Sequence, residues 1–382
     1  MKDIIYIDVD GHILEPPDLW QQNLEQEYRD RAMYFDKDAD GLETWIVDGK
    51  PHGFLAHGTS ANMATFNKSQ KWRKENIFEK HAISWEEGRA MNPGACDPDE
   101  RIKLMDHEEI DKSILFPSLG LDWPAAVKDP GLMAAYCRVY NDWIVDFCSR
   151  QRERLFPTVL LPWPDIEGSV KEMRRNSGVG PRSIMCPGVP FDDVPYGDIQ
   201  WDPIWREYQE EDIPVALHVS SGGTHASGIR YPKREPTPTW WSFSANTMDI
   251  QLSFMSFFQG NVFDRFPNLK LLVLESGCLW MPFILERMDE KYEILGFTTD
   301  MTLRPSEYFQ RQCWIAMDPD DEFASFVIQY LGPDKVVWAY DYPHSDSPTD
   351  PVKNLKKTLK DLPQEAQRKV AGGNAIGLYD LL

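Results

Sequence analysis

Four segments of this chain end in side chains able to do chemistry. Near the N-terminus the apolar run IIYI leads into Asp8-Val9-Asp10-Gly11-His12. Further along, PVAL leads into His218, LKLLVL into Glu275, and VVWAY into Asp341, with His344 close behind. Each run has the β-branched, apolar composition of a buried strand, so each polar terminus falls at a strand end. Residues two apart on a strand share a face, which predicts Asp8, Asp10 and His12 on one side and Ile7 and Val9 on the other. Ionisable groups aimed at a protein interior are unfavourable unless compensated, and a divalent metal is a common compensation. A single buried His is usually satisfied by hydrogen bonds. Four separate strands delivering Asp, His or Glu to one rim are not explained that way. We expect a metal centre drawn from Asp10, His12, His218, Glu275, Asp341 and His344.

That inventory is three imidazoles and three carboxylates with no thiolate. It suits iron, manganese, zinc or nickel, whereas magnesium or calcium would favour oxygen ligands alone. Six donors exceed what one closed zinc site needs. A two-metal site with a bridging carboxylate would use them all.

The elements that must position these residues alternate along the chain. Strands are predicted at 4–10, 112–117, 155–161, 183–186, 213–219, 269–275, 313–317 and 335–341. Helical patterns fall at 99–109, 131–150, 165–175, 203–211, 246–260, 279–293, 322–331 and 350–360. Such alternation implies βαβ units, and eight of them imply a closed (β/α)₈ TIM barrel with its active site at the C-terminal strand ends. An open doubly wound sheet would bring a Gly-rich phosphate loop after its first strand, and none is present. Residues 31–95 interrupt the alternation after strand one. Within them ETWIVDGKPHGFLA reads as a hairpin turning at Asp48-Gly49, and the segment as a whole reads as a lid or subunit interface inside one barrel domain spanning 1–382. A second excursion, 220–243, is rich in Gly and Pro and follows strand five, where a barrel places substrate loops.

With 42% hydrophobic residues over 382 positions, the chain can bury a large core. Its net charge of −21 argues against nucleic acid or an anionic membrane as partner. No apolar run approaches the ~20 residues of a membrane span. The N-terminus lacks the pattern of a secretory signal, and the six cysteines are scattered, so a reducing cytoplasm is expected.

The segments DVDGHILEPPDLW, IPVALHVSSGG, LKLLVLESGCLWMPFILERMD, VVWAYDYPHSD and GGNAIGLYDLL together resemble the amidohydrolase-related (amidohydrolase 2) family. Its members include metal-dependent hydrolases and aromatic decarboxylases. The resemblance implies an amidohydrolase-like barrel, with metal ligands from strand one (Asp10, His12), strand five (His218) and strand eight (Asp341). Two departures stand out. Decarboxylases and many hydrolases of the family carry a His at the end of strand six that serves the chemical step, where this chain has Glu275. They also lack an acidic residue three after the strand-one His, where this chain has Glu15. The pattern is similar to a branch whose dinuclear iron or iron–manganese centre activates dioxygen and hydroxylates a C–H bond of a small carboxylic or amino acid or an acyl-coenzyme A. Carboxylate-rich ligand sets stabilise high oxidation states, which agrees with that chemistry. We therefore expect a monooxygenase with two divalent first-row ions, taking dioxygen and an anionic small molecule, with Glu15, Glu275 and His225 as catalytic groups. The alternative is a hydrolase, with zinc and with Glu275 or Asp341 as its base, or a decarboxylase of the same family.

The remaining residues carry blander expectations. His107 reads as a solvated helix residue, and His52, His57 and His81 as surface residues of the insertion. Trp123, Trp240 and Trp241 would wall a pocket or cover an interface. The basic clusters 68–74 and 230–234 flank the site and could receive an anionic substrate. Asn374 reads as a structural cap. The Trp-rich insertion suggests an oligomer, either of this chain or with a paralogous one.

Overall fold

The structure, a computed structural model, describes residues 4–52, 58–81, 83–220 and 240–381. Strand β1 (Ile7–His12) is followed by β2 (Tyr34–Lys37), β3 (Glu43–Val47) and β4 (Lys50–Pro51), which form a small antiparallel sheet. Then come β5 (Lys112–Phe116), β6 (Leu155–Val159), β7 (Ser183–Pro187), β8 (Val215–His218), β9 (Leu271–Val273), β10 (Cys313–Met317) and β11 (Val336–Trp338). These seven and β1 form one parallel sheet in chain order, β1-β5-β6-β7-β8-β9-β10-β11. The sheet closes on itself just beyond β11: Asp341 N–H donates to Asp10 O at 2.7 Å, and His12 N–H donates to Tyr342 O at 2.7 Å. The expected (β/α)₈ barrel is therefore present.

Strands that are buried on both faces require apolar runs, and β5, β7, β8, β9 and β11 supply them. The crossover helices begin on strong start signals. Asp97, Asp129 and Asp165 each accept hydrogen bonds from first-turn amides of the helices Pro98–His107, Pro130–Ser149 and Ile166–Arg175. Among the helices that escaped the sequence reading is Pro305–Gln312: only eight residues long, it buries Tyr308 and Phe309 but carries a polar outer face. Among the described residues no helix is long and apolar enough to cross a membrane.

The hairpin forms as expected, with Asp48 and Gly49 both at positive φ in its turn, and β2 adds a third strand. Phe35 stacks on Trp45 and Trp85, and both tryptophans are fully buried. Segment 58–95 is tied to the barrel mouth. Trp85 Nε1–H donates to Glu15 O at 3.0 Å, and Phe66 N–H donates to Pro343 O at 3.1 Å.

Candidate metal centre and active site

The geometry of β1 decides which of its ionisable groups face the barrel mouth. Its pairing with β5 slips between Asp8 and Gly11, where β1 spends one residue more than its partner. This bulge breaks the two-residue alternation. Asp10 and His12 meet the groups of the other strands, but Asp8 does not. Its carboxylate accepts from Ser113 Oγ at 2.7 Å, from Tyr340 N–H at 3.0 Å and from Asp10 N–H at 3.1 Å. The expectation that Asp8 shares a face with Asp10 and His12 is thus corrected. Gly11 is required here, because a Cβ would lie against Arg101 and 2.6 Å from Asp8 Oδ2. Burial pushes the Asp8 carboxyl up to about 6 even with Arg101 nearby.

Asp10, His12, His218, Asp341, His344 and Glu275 do converge. His12 Nε2 lies 3.4 Å from Asp10 Oδ1 and 3.0 Å from Asp341 Oδ1. His218 Nε2 lies 3.2 Å from Asp10 Oδ1 and 3.4 Å from Glu275 Oε2, and His344 Nδ1 lies 2.9 Å from Asp341 Oδ1. The last two carboxylates sit on residues of unusual backbone, with φ of +43° at Glu275 and +60° at Asp341. Left-handed conformations at non-glycine residues are retained where the surroundings demand them, which is common at functional sites. They also end β9 and β11 earlier than the apolar runs suggested.

The orientation of the imidazoles is fixed from behind. His12 Nδ1 is 2.7 Å from Pro117 O, and His218 Nδ1 is 2.7 Å from Val219 O. A carbonyl can only accept, so both rings carry a proton on Nδ1, and each Nε2 can meet the carboxylate oxygens only through a second proton or a bound cation. Lone pairs facing each other at such distances repel unless a cation lies between them. His12 Nε2, Asp10 Oδ2, Asp341 Oδ1 and Glu275 Oε2 are all buried without a hydrogen-bond partner. Buried polar atoms are seldom left so, and this donor set fits a divalent first-row metal. Charge follows the same logic. Burial works against the Asp10 and Asp341 anions, yet the adjacent imidazoles hold both carboxyls below the usual range. Burial also works against protonated His12, but Asp10 and Asp341 raise it well above an ordinary imidazole. Burial and the nearby Asp341 charge push Glu275 far upward.

Glu15 is placed differently. Its Oε2 accepts from Leu119 N–H at 3.0 Å and Ser118 N–H at 3.4 Å, and its Oε1 accepts from Gly120 N–H at 3.0 Å. Both oxygens are occupied by backbone amides, so Glu15 stands outside the donor cluster. The turn it grips presents Pro117 O to His12. It also presents Ser118 Oγ, which donates to Ile13 O at 2.7 Å and lies 2.9 Å from His344 Nε2. Ser118 and Asp346 were missed from sequence. Asp346 groups with Glu275 and Asp341, and its signal was the third ionisable side chain in D-Y-P-H-S-D. His225, His57 and the cluster 230–234 lie outside the described residues, as do the side chains of Trp240 and Trp241. His107 is exposed as expected, but His52 is not a free surface residue: it packs on Trp45 and lies 3.3 Å from Asp122 O. Trp123 is buried against Trp20 and Tyr136.

A cleft of about 300 Å³ opens from the donor cluster, lined by Asp10, Val219, Asn246, Glu275, Asp318 and Asp346 among others. A smaller neighbouring cavity adds Asn62, Met63, Leu121, Ser220 and His344. Among the described lining residues there is no Lys or Arg.

Closed parallel barrel, seam-bridging donors and strand-end carboxylates define a class. The model of the Amidohydrolase family matches residues 7–381, and the chain belongs to that family. Among its relatives is the 2-amino-3-carboxymuconate-6-semialdehyde decarboxylase of Dictyostelium discoideum, 24% identical over 77% of this chain and 79% of that protein. Gamma-resorcylate decarboxylases are also similar. Among solved structures, an amidohydrolase from Mycobacterium avium subsp. paratuberculosis K-10 superposes with a TM-score of 0.81 at 21% identity, covering 99% of this chain and 100% of that one. The 5-carboxyvanillate decarboxylase of Novosphingobium aromaticivorans, solved with bound manganese, superposes with a TM-score of 0.69 at 17% identity, covering 99% and 98%.

These findings correct the sequence expectation of an iron-dependent, dioxygen-using monooxygenase. The curated relatives named above are decarboxylases, a non-oxidative chemistry, and none of them points to iron or dioxygen. The physical reason is visible in Glu15. The added carboxylate that suggested a carboxylate-rich oxidising centre is taken by three backbone amides.

Proposed function

We propose that this chain is a metal-dependent decarboxylase of small unsaturated or aromatic carboxylic acids. The observation that carries the reading is the convergence of Asp10, His12, His218 and Asp341 with unpartnered donor atoms at the mouth of the barrel. Those four would hold one divalent ion, manganese or zinc, with His344 bracing Asp341. When bound, such an ion supplies Lewis acidity toward the carboxylate and a neighbouring oxygen of the substrate.

The chain's own groups account for the rest. Asn62, Asn246 and Ser220 offer polar atoms to orient the substrate, while Met63, Leu121 and Val219 give an apolar wall. With no Lys or Arg on the described walls, the favoured substrate carries a single carboxylate, the one that leaves. Glu275 stands where the family resemblance puts an imidazole that serves the chemical step. Its side chain is 24% exposed toward the cleft. As the C–C bond to the carboxylate breaks, the electron pair stays on the substrate carbon, carbon dioxide departs, and that carbon takes its proton from the Glu275 carboxyl.

The test is carbon dioxide release by manganese- or zinc-loaded protein. The probes are mono- and dihydroxybenzoates, each with one carboxylate, assayed without oxygen. Release that depends on metal and proceeds anaerobically is expected. Metal-loaded protein that hydrolyses or hydrates the probes without freeing carbon dioxide overturns the proposal.

A further inference from the structure

Leu121 and Ser220 line the cavity that holds Glu275 and His344, and the same two residues line a second cavity of about 10 Å³. Most of the second wall comes from the C-terminal ends of two strands. Leu160 and Trp163 lie just beyond β6, Met185 and Pro187 in β7, and Val189 and Phe191 just beyond β7. In a parallel barrel this is the end that receives substrate. Among the described lining residues none is charged. Trp163 Nε1–H donates to Met185 O at 3.2 Å. That leaves Ser220 Oγ as the unpartnered side-chain polar atom of the wall, on a residue only 5% exposed.

The walls are braced against collapse. Asn141, fully buried, donates from Nδ2 to Leu160 O at 2.9 Å and accepts Leu160 N–H at 2.8 Å. Tyr196 O–H donates to Pro187 O at 2.6 Å, and the Trp163 ring meets Tyr196 and Trp201 edge-on. A void of this size has room for one water, but a buried water needs about two to four polar partners, and the side chains here offer one. We propose that the niche takes a small apolar substituent, of methyl size, on the acid held at the metal centre. The inference rests on the decarboxylase reading and narrows its substrates to hydroxybenzoates with one methyl group remote from the carboxylate. The carboxylate lies at the donor cluster, a ring hydroxyl meets Ser220 Oγ, and the methyl passes Leu121 into the niche. There it replaces empty space with contacts to the apolar walls, which a void of this kind otherwise forfeits.

Titration calorimetry with the manganese-loaded full chain tests this. The probes are 2-hydroxybenzoate, its 4- and 5-methyl derivatives, and the dihydroxybenzoates with a hydroxyl at the same positions. At least one methyl derivative should bind about 10-fold or more tighter than the parent acid, since one carbon in a shaped apolar pocket is worth about 10–200-fold. The hydroxyl derivative at the same position should gain nothing. Val189→Leu adds one carbon to the wall and should erase the preference, whereas Val189→Ala should transfer it to the ethyl derivative. These are ratios within one protein, so a general loss of stability does not mimic them. Equal binding of methyl and parent acids, binding of neither, or Val189 variants with the wild-type ratio overturns the proposal even where carbon dioxide is released. Methyl-dependent binding without release of carbon dioxide upholds the niche and overturns only the decarboxylase reading.

Discussion

Replacing Glu15 with Gln should weaken metal binding without touching a metal-facing atom. The Glu15 carboxylate receives three amide N–H groups, from Ser118, Leu119 and Gly120. A Gln amide can accept on one end only, so its NH₂ would oppose a backbone donor and leave buried groups unsatisfied at about 1–3 kcal/mol. Against this, burial raises the Glu15 carboxyl from 4.5 to about 6, so its charge at neutral pH itself costs about 2 kcal/mol. The two effects nearly offset, and the melting temperature at neutral pH should move little. Their signatures differ elsewhere. Because the folded-state pKa is raised, folding favours the protonated form, so Glu15 makes stability fall as pH rises from about 4.5 to about 6. Glu15→Gln should flatten that part of the profile. The turn would also shift Pro117 O and Ser118 Oγ, the partners of His12 and His344. Loss of such outer-shell partners lowers metal affinity by about 10–100-fold. Chelator competition measures it directly. A variant that binds manganese and zinc as tightly as wild type would refute the argument.

Other outcomes follow from the same geometry. His218→Ala and Asp341→Ala should each lose bound metal, measured by elemental analysis, while keeping the circular dichroism of the wild type, because the site lies above the packed barrel layers. Glu275→Gln should retain metal but release carbon dioxide ~10²–10⁴ more slowly, since it removes the proton donor and not the principal ligands. Gly11→Ala should lower stability in a denaturant titration by about 1–3 kcal/mol or more, because the added methyl is driven into Arg101, Asp8 and Ser113. Stripping the metal with a chelator should lower the melting temperature, and readdition to ~100 times the dissociation constant should restore about 2.7 kcal/mol.

The barrel was legible because strands buried on both faces leave unbroken apolar runs, and polar side chains ending such runs can only gather at one rim. His218, Glu275 and Asp341 were readable on that ground alone. The orientation of Asp8 was not, since a bulge between Asp8 and Gly11 leaves no trace in a two-residue alternation. Glu15 was legible only in part for a related reason: a carboxylate near a metal ligand reads either as a donor or as a brace for one, and only the fold shows three amides already holding it. Ser118 looked like any turn residue, although it links His344 to the chain at Ile13. The reaction was least legible, because oxygenases, hydrolases and decarboxylases draw on the same imidazoles and carboxylates.

The seam where Asp341 bonds to Asp10 has a consequence for how the protein is made. Asp10 and His12 leave the ribosome first among the donors, and Asp341 leaves it last but for His344. At about 5–20 residues per second, roughly 20–60 s separate them. Throughout that interval β1 lacks one neighbour and the donor set is incomplete, with His218 and Glu275 added partway and Asp341 only at its end. A metal ion met early would find only a loose carboxylate and imidazole, which any cellular chelator outcompetes. Loading therefore belongs to the finished barrel, and metal supply should limit how much of the chain is active without limiting how much is synthesised.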